Sequence, residues 1–174
     1  MAGGRLGVPG VGPTLIHPGT FHVVLNKGDV VEDFELPDQS GQPRKLSEFL
    51  ADGPVVLFFY PAAMTAGCTA ESCHFRDLGA EFAKVGATRV GISKDPVDRQ
   101  KAFADRYGFD YPLLSDVDGT VAKAFGVRRS PALGSLATKR VTFVIGADRT
   151  VLDVVRSEVN MNAHADRALQ ALGG

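Results

Sequence analysis

A run of six apolar residues, VVLFFY at 55–60, constrains the fold more than any other stretch of this chain. The run is rich in β-branched and aromatic side chains, and it ends at Pro61. A strand with one face in water alternates apolar and polar residues, whereas a strand covered on both faces is apolar throughout. The run therefore predicts a central strand that is buried on both faces.

Helix and strand signals alternate around this run. Predicted strands lie at 30–36, 88–93, 111–116, 140–146 and 151–157, the last two joined as a hairpin by ADRT. Predicted helices lie at 45–52, at 95–108, at 120–126 and at 162–172, and one follows Cys68 with an apolar stripe of Phe75, Leu78, Phe82 and Val85. This order indicates an α/β fold with a central mixed β-sheet flanked by helices.

The helix at 95–108 carries clear boundary signals. We expect Asp95 to be its N-cap, Pro96 to take the first helical position and Gly108 to end the helix.

Length and composition indicate one domain and exclude several classes of partner. The 174 residues fit a single domain, residues 21–174, after a Gly- and Pro-rich N-terminal tail, residues 1–20, that we expect to be disordered. A net charge of −1 gives no broad electrostatic footprint for nucleic acid or an anionic membrane surface. No secretory signal and no apolar run of membrane-spanning length is found, so we expect a cytoplasmic protein.

The two cysteines lie close together, just after the buried strand. If Thr65 is the N-cap of the helix that follows, Cys68 falls in its first turn, among backbone N–H groups that lack partners within the helix. Those donors and the helix dipole favour an anion, and such settings stabilise the thiolate, which is the nucleophilic form of cysteine. The simpler interpretation, a small buried hydrophobic residue, stays open for Cys68, as does an incidental exposed thiol for Cys73.

The spacing of Cys68 and Cys73 sets a condition on any bond between them. Five residues of ideal helix separate the Cα atoms by roughly 8–9 Å, and a disulfide needs about 4.4–6.8 Å. If the two cysteines form a redox couple, the first turns of the helix must unwind on oxidation.

Other uses of the cysteines fit less well. CTAESCH is a lengthened form of the haem-attachment motif C-x-x-C-H, and covalent haem would require export. A zinc site needs four ligands, and His17, His22 and His164 lie in no ligand-like spacing. A disulfide reductase normally uses C-x-x-C, whereas four residues separate these cysteines.

The segment FFYPAAMTAGCTAESC resembles the active-site segment of the peroxiredoxins, most closely that of the bacterioferritin-comigratory-protein subfamily, also called peroxiredoxin Q. The family pattern P-x-x-x-[TS]-x-x-C is matched by Pro61, Thr65 and Cys68, and the second cysteine of the subfamily by Cys73. The resemblance extends over residues 27–173. It includes an opening hairpin in GDVVEDFELPDQSGQPRKLSEF and closing strands in KRVTFVIGADRTV.

This resemblance implies a thioredoxin-like fold and a thiol peroxidase that uses no metal or cofactor. Cys68 would be the peroxidatic cysteine and Cys73 the resolving cysteine, joined in an intramolecular disulfide that thioredoxin or a similar dithiol reduces. Thr65 would offer its hydroxyl to the thiolate and the peroxide, Pro61 would shield the thiolate from water, and Arg140 would stabilise the thiolate and the developing charge.

The resemblance also implies hydrogen peroxide and organic hydroperoxides as substrates, and many members of the subfamily are monomers. The loop at 128–139 is among the departures from the family pattern, and one hypothesis is that it borders the pocket and biases substrate size, in a direction that the sequence does not give. An alternative hypothesis is a redox sensor that uses the same disulfide as a switch without turnover, because sensing and turnover share the first step.

Overall fold

The computed structural model of the protein describes residues 24–130, 132 and 137–173. The predicted tail at 1–20 and part of the loop at 128–139 lie outside these ranges.

The described residues form seven strands and six helices in the order that follows. The strands are β1 (Glu35–Pro37), β2 (Pro43–Lys45), β3 (Val55–Phe59), β4 (Thr88–Ser93), β5 (Leu113–Ser115), β6 (Val141–Ile145) and β7 (Val151–Arg156). The helices are α1 (Leu46–Leu50), α2 (Ala66–Asp77), α3 (Gly79–Lys84), α4 (Val97–Tyr107), α5 (Thr120–Ala124) and α6 (Asn162–Ala171).

Five strands form one mixed sheet in the order β5-β4-β3-β6-β7, and β1 and β2 form a separate antiparallel hairpin. Strand β3 pairs in parallel with β4 and antiparallel with β6. The antiparallel register places Phe59, the last residue of β3, opposite Val141, the first residue of β6. The carboxyl end of β3 and the start of β6 therefore lie at the same edge of the sheet, although 81 residues separate them, from 60 to 140.

The prediction of a central strand buried on both faces is confirmed, because every residue of β3 is buried. Val55, Leu57 and Phe59 pack in one apolar cluster with α1 and α5. Val56 and Phe58 pack in a second cluster with the residues of α2, α3, α4 and α6 that face the sheet. Cys68 belongs to this second cluster. The alternation of β3 side chains between two covered faces accounts for the continuous apolar run.

Two boundaries differ from the sequence prediction. The strand predicted at 30–36 is reduced to β1 and an isolated bridge between Val30 and Thr150. Between them the chain turns towards α1, where the Asp33 carboxylate accepts hydrogen bonds from the backbone N–H and the hydroxyl of Ser47 at 2.9 and 2.7 Å. Asp33 therefore binds the first turn of α1 and is not part of a strand.

The second difference concerns α4, whose N-cap is Pro96 and not Asp95. The Asp95 carboxylate is engaged elsewhere, since it accepts hydrogen bonds from the Ala63 N–H at 2.8 Å and the Ser93 hydroxyl at 2.7 Å. At the other end, Gly108 adopts a left-handed conformation with φ of 65° and ends α4 as predicted.

The apolar stripe after Cys68 is shared by two helices. Leu78 leaves helical geometry, with φ of −91° and ψ of 17°, and separates α2 from α3. Phe75 and Phe82 are both fully buried, so the stripe is correct although the helix is not continuous.

Candidate active site

Cys68 lies in the first turn of α2, just beyond the carboxyl end of β3. Its N-cap residue is Thr65, as predicted, with extended backbone angles of −78° and 154°. The sulfur is almost fully enclosed, with Cys68 only 1% exposed. The first turn of a helix carries N–H groups that lack partners within the helix, and such groups favour a nearby negative charge.

Arg140, the residue directly before β6, contacts the Cys68 thiol. Its Nη2 atom donates to the Cys68 Sγ atom at 3.3 Å. The register of β3 against β6 accounts for this contact, because it places the residue before β6 beside the segment that follows β3. Arg140 is only 6% exposed, whereas an arginine at the start of a strand is usually a solvated surface residue.

Glu71 holds the other side of the same guanidinium group. It is fully buried on α2, three residues after Cys68, and its Oε2 atom accepts a short hydrogen bond from Arg140 Nη1. Burial raises the pKa of Glu71 to about 7, although the charge and the hydrogen bond of Arg140 oppose the shift. Burial also works against the charge of Arg140, yet Glu71 and Cys68 outweigh it and raise the pKa of Arg140.

Gly67 makes room for this arrangement. A Cβ atom at this position would lie 3.2 Å from Arg140 Nη2 and 3.4 Å from the terminal methyl group of Met161. The first turn of α2 therefore approaches the guanidinium group with backbone alone.

Thr65 and Pro61 lie at the positions that the motif predicts, between β3 and α2. The Thr65 hydroxyl donates to the Ala62 carbonyl oxygen at 2.7 Å, and the Thr65 side chain makes no hydrogen bond to an N–H group of the helix. Pro61 is half-buried directly after Tyr60. The roles of both residues stay predictions.

Cys73 lies in the same helix as Cys68, and both cysteines are free thiols. It is half-buried against the second apolar cluster, so the interpretation of Cys73 as an exposed thiol does not hold. Burial raises the pKa of Cys73, with the charge of Arg76 opposing the shift and that of Asp77 adding to it. The intact helix thus disfavours the thiolate of Cys73 and holds its Cα atom roughly 8–9 Å from that of Cys68.

Sequence reasoning missed Glu71 and His164. Glu71 follows Cys68 by three residues, which places it on the same helix face, and a charged residue on a core-facing side indicates a partner. His164 is fully buried on α6, between Thr142 and Ser157. His164 lies four residues before Ala168 on the predicted helix, so the two share a face, and this was the available signal.

The loop at 128–139 is described only in part. Arg128, Arg129, Ser130 and Lys139 help to line a surface groove of about 470 Å³, and Cys68 is not among the lining residues. The influence of this loop on substrate size stays a prediction.

Within the described ranges, no group of three or more His, Cys, Asp or Glu side chains is arranged to hold a metal ion. Nor does any helix in those ranges combine the length and apolar character needed to cross a membrane.

The fold is a mixed sheet with helices on both faces, and the buried thiol lies in the first helical turn after the central strand. These two features define a thioredoxin-like protein with a cysteine-based site. The sequence profile of the AhpC/TSA family matches residues 27–154. A peroxiredoxin of Mycobacterium tuberculosis is 64% identical over 148 residues, which cover 85% of this chain and 96% of the relative.

Solved structures of the same family have the same fold. The crystal structure of the peroxidoxin BcpB from M. tuberculosis superposes with a TM-score of 0.82 and 65% identity, covering 86% of this chain and 97% of that one. A bacterioferritin comigratory protein of Xanthomonas campestris, described with alkyl peroxide reduction activity, gives a TM-score of 0.73 and 33% identity over 80% of this chain and 90% of that one.

The chain belongs to the AhpC/TSA family, the peroxiredoxins, and it is a thiol-dependent peroxidase. The predicted subfamily resemblance and the thioredoxin-like fold are confirmed.

Proposed function

We propose that Cys68 is the peroxidatic cysteine of this peroxidase and that Cys73 resolves it, with Arg140, Thr65 and Pro61 completing the site. The observation that carries the proposal is the contact of 3.3 Å between Arg140 Nη2 and Cys68 Sγ. A cation beside a buried sulfur at a helix start stabilises the thiolate, and the same donors can stabilise charge that develops on a peroxide oxygen.

In the first step the thiolate sulfur attacks one peroxide oxygen in line with the O–O bond. A sulfur–oxygen bond forms, the oxygen–oxygen bond breaks, and its electron pair leaves with the second oxygen. That oxygen takes up a proton and departs as water or alcohol, while Cys68 becomes a sulfenic acid. The Thr65 oxygen can accept a hydrogen bond from the peroxide, since its own hydrogen is donated to Ala62.

In the second step the Cys73 sulfur attacks the sulfenic sulfur of Cys68. A disulfide forms, the sulfur–oxygen bond breaks, and the oxygen leaves as water after protonation. The first turns of α2 must unwind for this step, because five residues of helix hold the Cα atoms roughly 8–9 Å apart. Unwinding also exposes Cys73, which removes the burial that raises its pKa.

A dithiol reductant then restores both thiols by exchange, through a mixed disulfide. We propose thioredoxin or a similar small dithiol protein in this role, and the cytoplasm as the compartment. We further propose hydrogen peroxide and organic hydroperoxides as substrates, which the activity described for the X. campestris relative supports.

Mass spectrometry tests the assignment of the two cysteines. After an equimolar dose of hydrogen peroxide, the protein should lose the mass of two hydrogen atoms, and the digest should contain a Cys68–Cys73 link. The Cys68→Ser variant should lose peroxide reduction, and Cys73→Ser should react once and stop as an oxidised thiol. Normal turnover of Cys73→Ser with thioredoxin would contradict the resolving role of Cys73.

A further inference from the structure

The carboxyl group of Glu71 has one oxygen atom that the proposed site does not use. Oε2 is bound by Arg140, whereas Oε1 is buried without any hydrogen-bond donor among the described residues. The polar atom that faces it is His164 Nδ1, at 3.8 Å. A buried carboxylate oxygen without a donor is costly, and it indicates a place where a proton can be held.

The hydrogen bonds of His164 define its neutral form. Nε2 lies 2.8 Å from the Ser157 carbonyl oxygen, which can only accept, so Nε2 carries the hydrogen. Nδ1 therefore accepts from the Thr142 hydroxyl at 2.8 Å, and the same atom lies 3.8 Å from Glu71 Oε1. Rotation of the Thr142 hydroxyl frees the one lone pair of Nδ1 for a proton shared with Glu71. Burial lowers the pKa of His164. Burial disfavours charge on both Glu71 and His164. One proton shared between the Glu71 carboxyl oxygen and His164 Nδ1 therefore suits the pair better than a carboxylate beside a charged imidazolium.

The charges around Arg140 show why such a proton matters. One guanidinium group contacts both Cys68 and Glu71, so two anions share one cation when both are ionised. A proton on the Glu71–His164 pair restores the balance. The other charged groups that face the pair are Glu158, which follows β7, and Arg167 on α6, whose effects on His164 oppose each other. The His74–Asp166 hydrogen bond between α2 and α6 is more exposed.

We propose that Glu71 and His164 form a buried proton-holding pair behind Arg140, which gains a proton when Cys68 ionises and so keeps the thiolate formed at mildly acidic pH. His164 is a positioning residue, since it acts on the sulfur only through Glu71 and Arg140. This inference rests on the proposed peroxidatic role of Cys68. Sulfur loses one proton to solvent and the pair takes one up, so the net charge of the buried cluster does not change.

Linkage makes the coupling reciprocal. If a proton on the pair favours the thiolate, the thiolate favours a proton on the pair by the same factor. Conversion of Cys68 to a sulfenic acid or a disulfide removes the negative charge, and the pair then releases its proton.

The test uses the Cys73→Ser background, in which Cys68 is the only cysteine. The thiolate is followed by its ultraviolet absorbance, and the rate constant of oxidation by hydrogen peroxide is measured across pH. His164→Asn places a non-titrating amide at the site of Nδ1, where it can donate to Glu71 and keep the carboxylate ionised. At about pH 5.5 this variant should react about fivefold or more slowly than the parent, and at about pH 8 the two should agree within about twofold. His164→Gln, which can still donate to Ser157, should behave in the same way if His164→Asn folds poorly.

Glu71→Gln should have the opposite effect. A neutral amide imitates the protonated carboxyl, so the thiolate should persist to the same or a lower pH than in the parent. Adding His164→Asn to Glu71→Gln should then change nothing further, because the pair has already lost its titration. Opposite shifts of the pH profile are not expected from two substitutions that only disturb packing.

The matched control is His74→Asn, on the more exposed face of α2, whose profile should follow that of the parent. The inference is overturned if His164→Asn lowers the rate equally at all pH values, or if its profile equals that of His74→Asn. A parent protein in which Cys68 never reacts with peroxide would instead overturn the proposed function.

Discussion

At the scale of single residues, the site depends on one planar side chain. The guanidinium group of Arg140 binds the Cys68 sulfur through Nη2 and the Glu71 carboxylate through Nη1. A planar fork can serve two acceptors in fixed directions, whereas an ammonium group is a compact point charge. The geometry of the thiol, and not only the local charge, therefore depends on arginine.

Replacement of Arg140 by lysine tests this dependence. We expect Arg140→Lys to lower the rate constant of Cys68 oxidation about 100-fold or more, the usual cost of losing a donor to developing charge. Stopped-flow mixing with hydrogen peroxide measures the rate. Arg128→Lys, a half-buried arginine in the neighbouring loop, is the matched control and should react like the parent. Equal rates for the two variants would show that charge alone is sufficient.

Gly67 gives a second test at this scale, because a methyl group there would displace Arg140 and Met161 by a few tenths of an ångström. Gly67→Ala should raise helix stability by up to about 1 kcal/mol. It should nevertheless slow oxidation of Cys68 several-fold, since misplacement of a catalytic group by about 1 Å can cost about 100-fold. Urea unfolding measures the expected gain in stability, and the rate of Cys68 oxidation measures the expected loss of reactivity.

Ala70→Gly, on the exposed face of α2, is the control for Gly67→Ala. It should destabilise the protein by roughly 0.5–1 kcal/mol and leave the first oxidation step unchanged. A slower first step in this variant would mean that helix stability, rather than the space beside Arg140, controls the rate.

At the scale of elements, α2 consists of two parts with different anchors. Its first turns contact Arg140 through Cys68 and Glu71. Its second part is held by Tyr111, whose hydroxyl donates to the Ser72 carbonyl at 2.7 Å, and by Arg89, which donates to the Phe75 carbonyl at 2.7 Å. The two cysteines lie on either side of this division, so the disulfide requires one part to move relative to the other.

Tyr111→Phe weakens the anchor at the division. Loss of one buried hydrogen bond should cost about 1 kcal/mol, and disulfide formation after oxidation should become about fivefold faster if Ser72 moves in that step. Rapid quenching and intact-mass measurement follow the conversion of sulfenic acid to disulfide. Tyr107→Phe on α4 is the control and should not change this rate. An unchanged rate in Tyr111→Phe would confine the unwinding to the residues before Ser72.

At the scale of the whole molecule, two buried groups make the stability depend on pH in opposite directions. The pKa of Glu71 is raised from 4.5 to about 7, so the folded state binds this proton more tightly and is favoured as pH falls through that range. The pKa of His164 is lowered from 6.5, so its contribution is present above that value and is lost as pH falls below it. The two effects partly cancel under mildly acidic conditions.

Glu71→Gln removes the contribution of Glu71 to this pH dependence of stability. The free energy of unfolding of the variant should therefore rise more steeply between about pH 5 and pH 7 than that of the parent, by an amount on the order of a few kcal/mol. Urea titrations at a series of pH values measure the slope. Glu81→Gln, an exposed glutamate on α3, should follow the parent. A slope for Glu71→Gln that matches this control would mean that Glu71 does not titrate in this range.

The sheet illustrates how much of the fold could be predicted from the sequence. The apolar run at β3 and the hairpin of β6 and β7 were recognisable because side-chain alternation and turn residues are local signals. The predicted strand at 30–36 was longer than β1, since Asp33 binds Ser47, which lies 14 positions further along the chain. A local pattern does not show where a side chain will find a distant partner.

The sequence by itself determined the class of this protein, its fold and the thiol at the start of α2, because these follow from short-range periodicity and a compact motif. The family resemblance had already assigned Arg140 to that thiol, whereas only the tertiary structure decided that Glu71 binds the other side of the guanidinium group and that His164 lies behind Glu71. The physical reason is the register of β3 against β6 and the packing of α6 on α2, which join residues up to 93 positions apart, from 71 to 164.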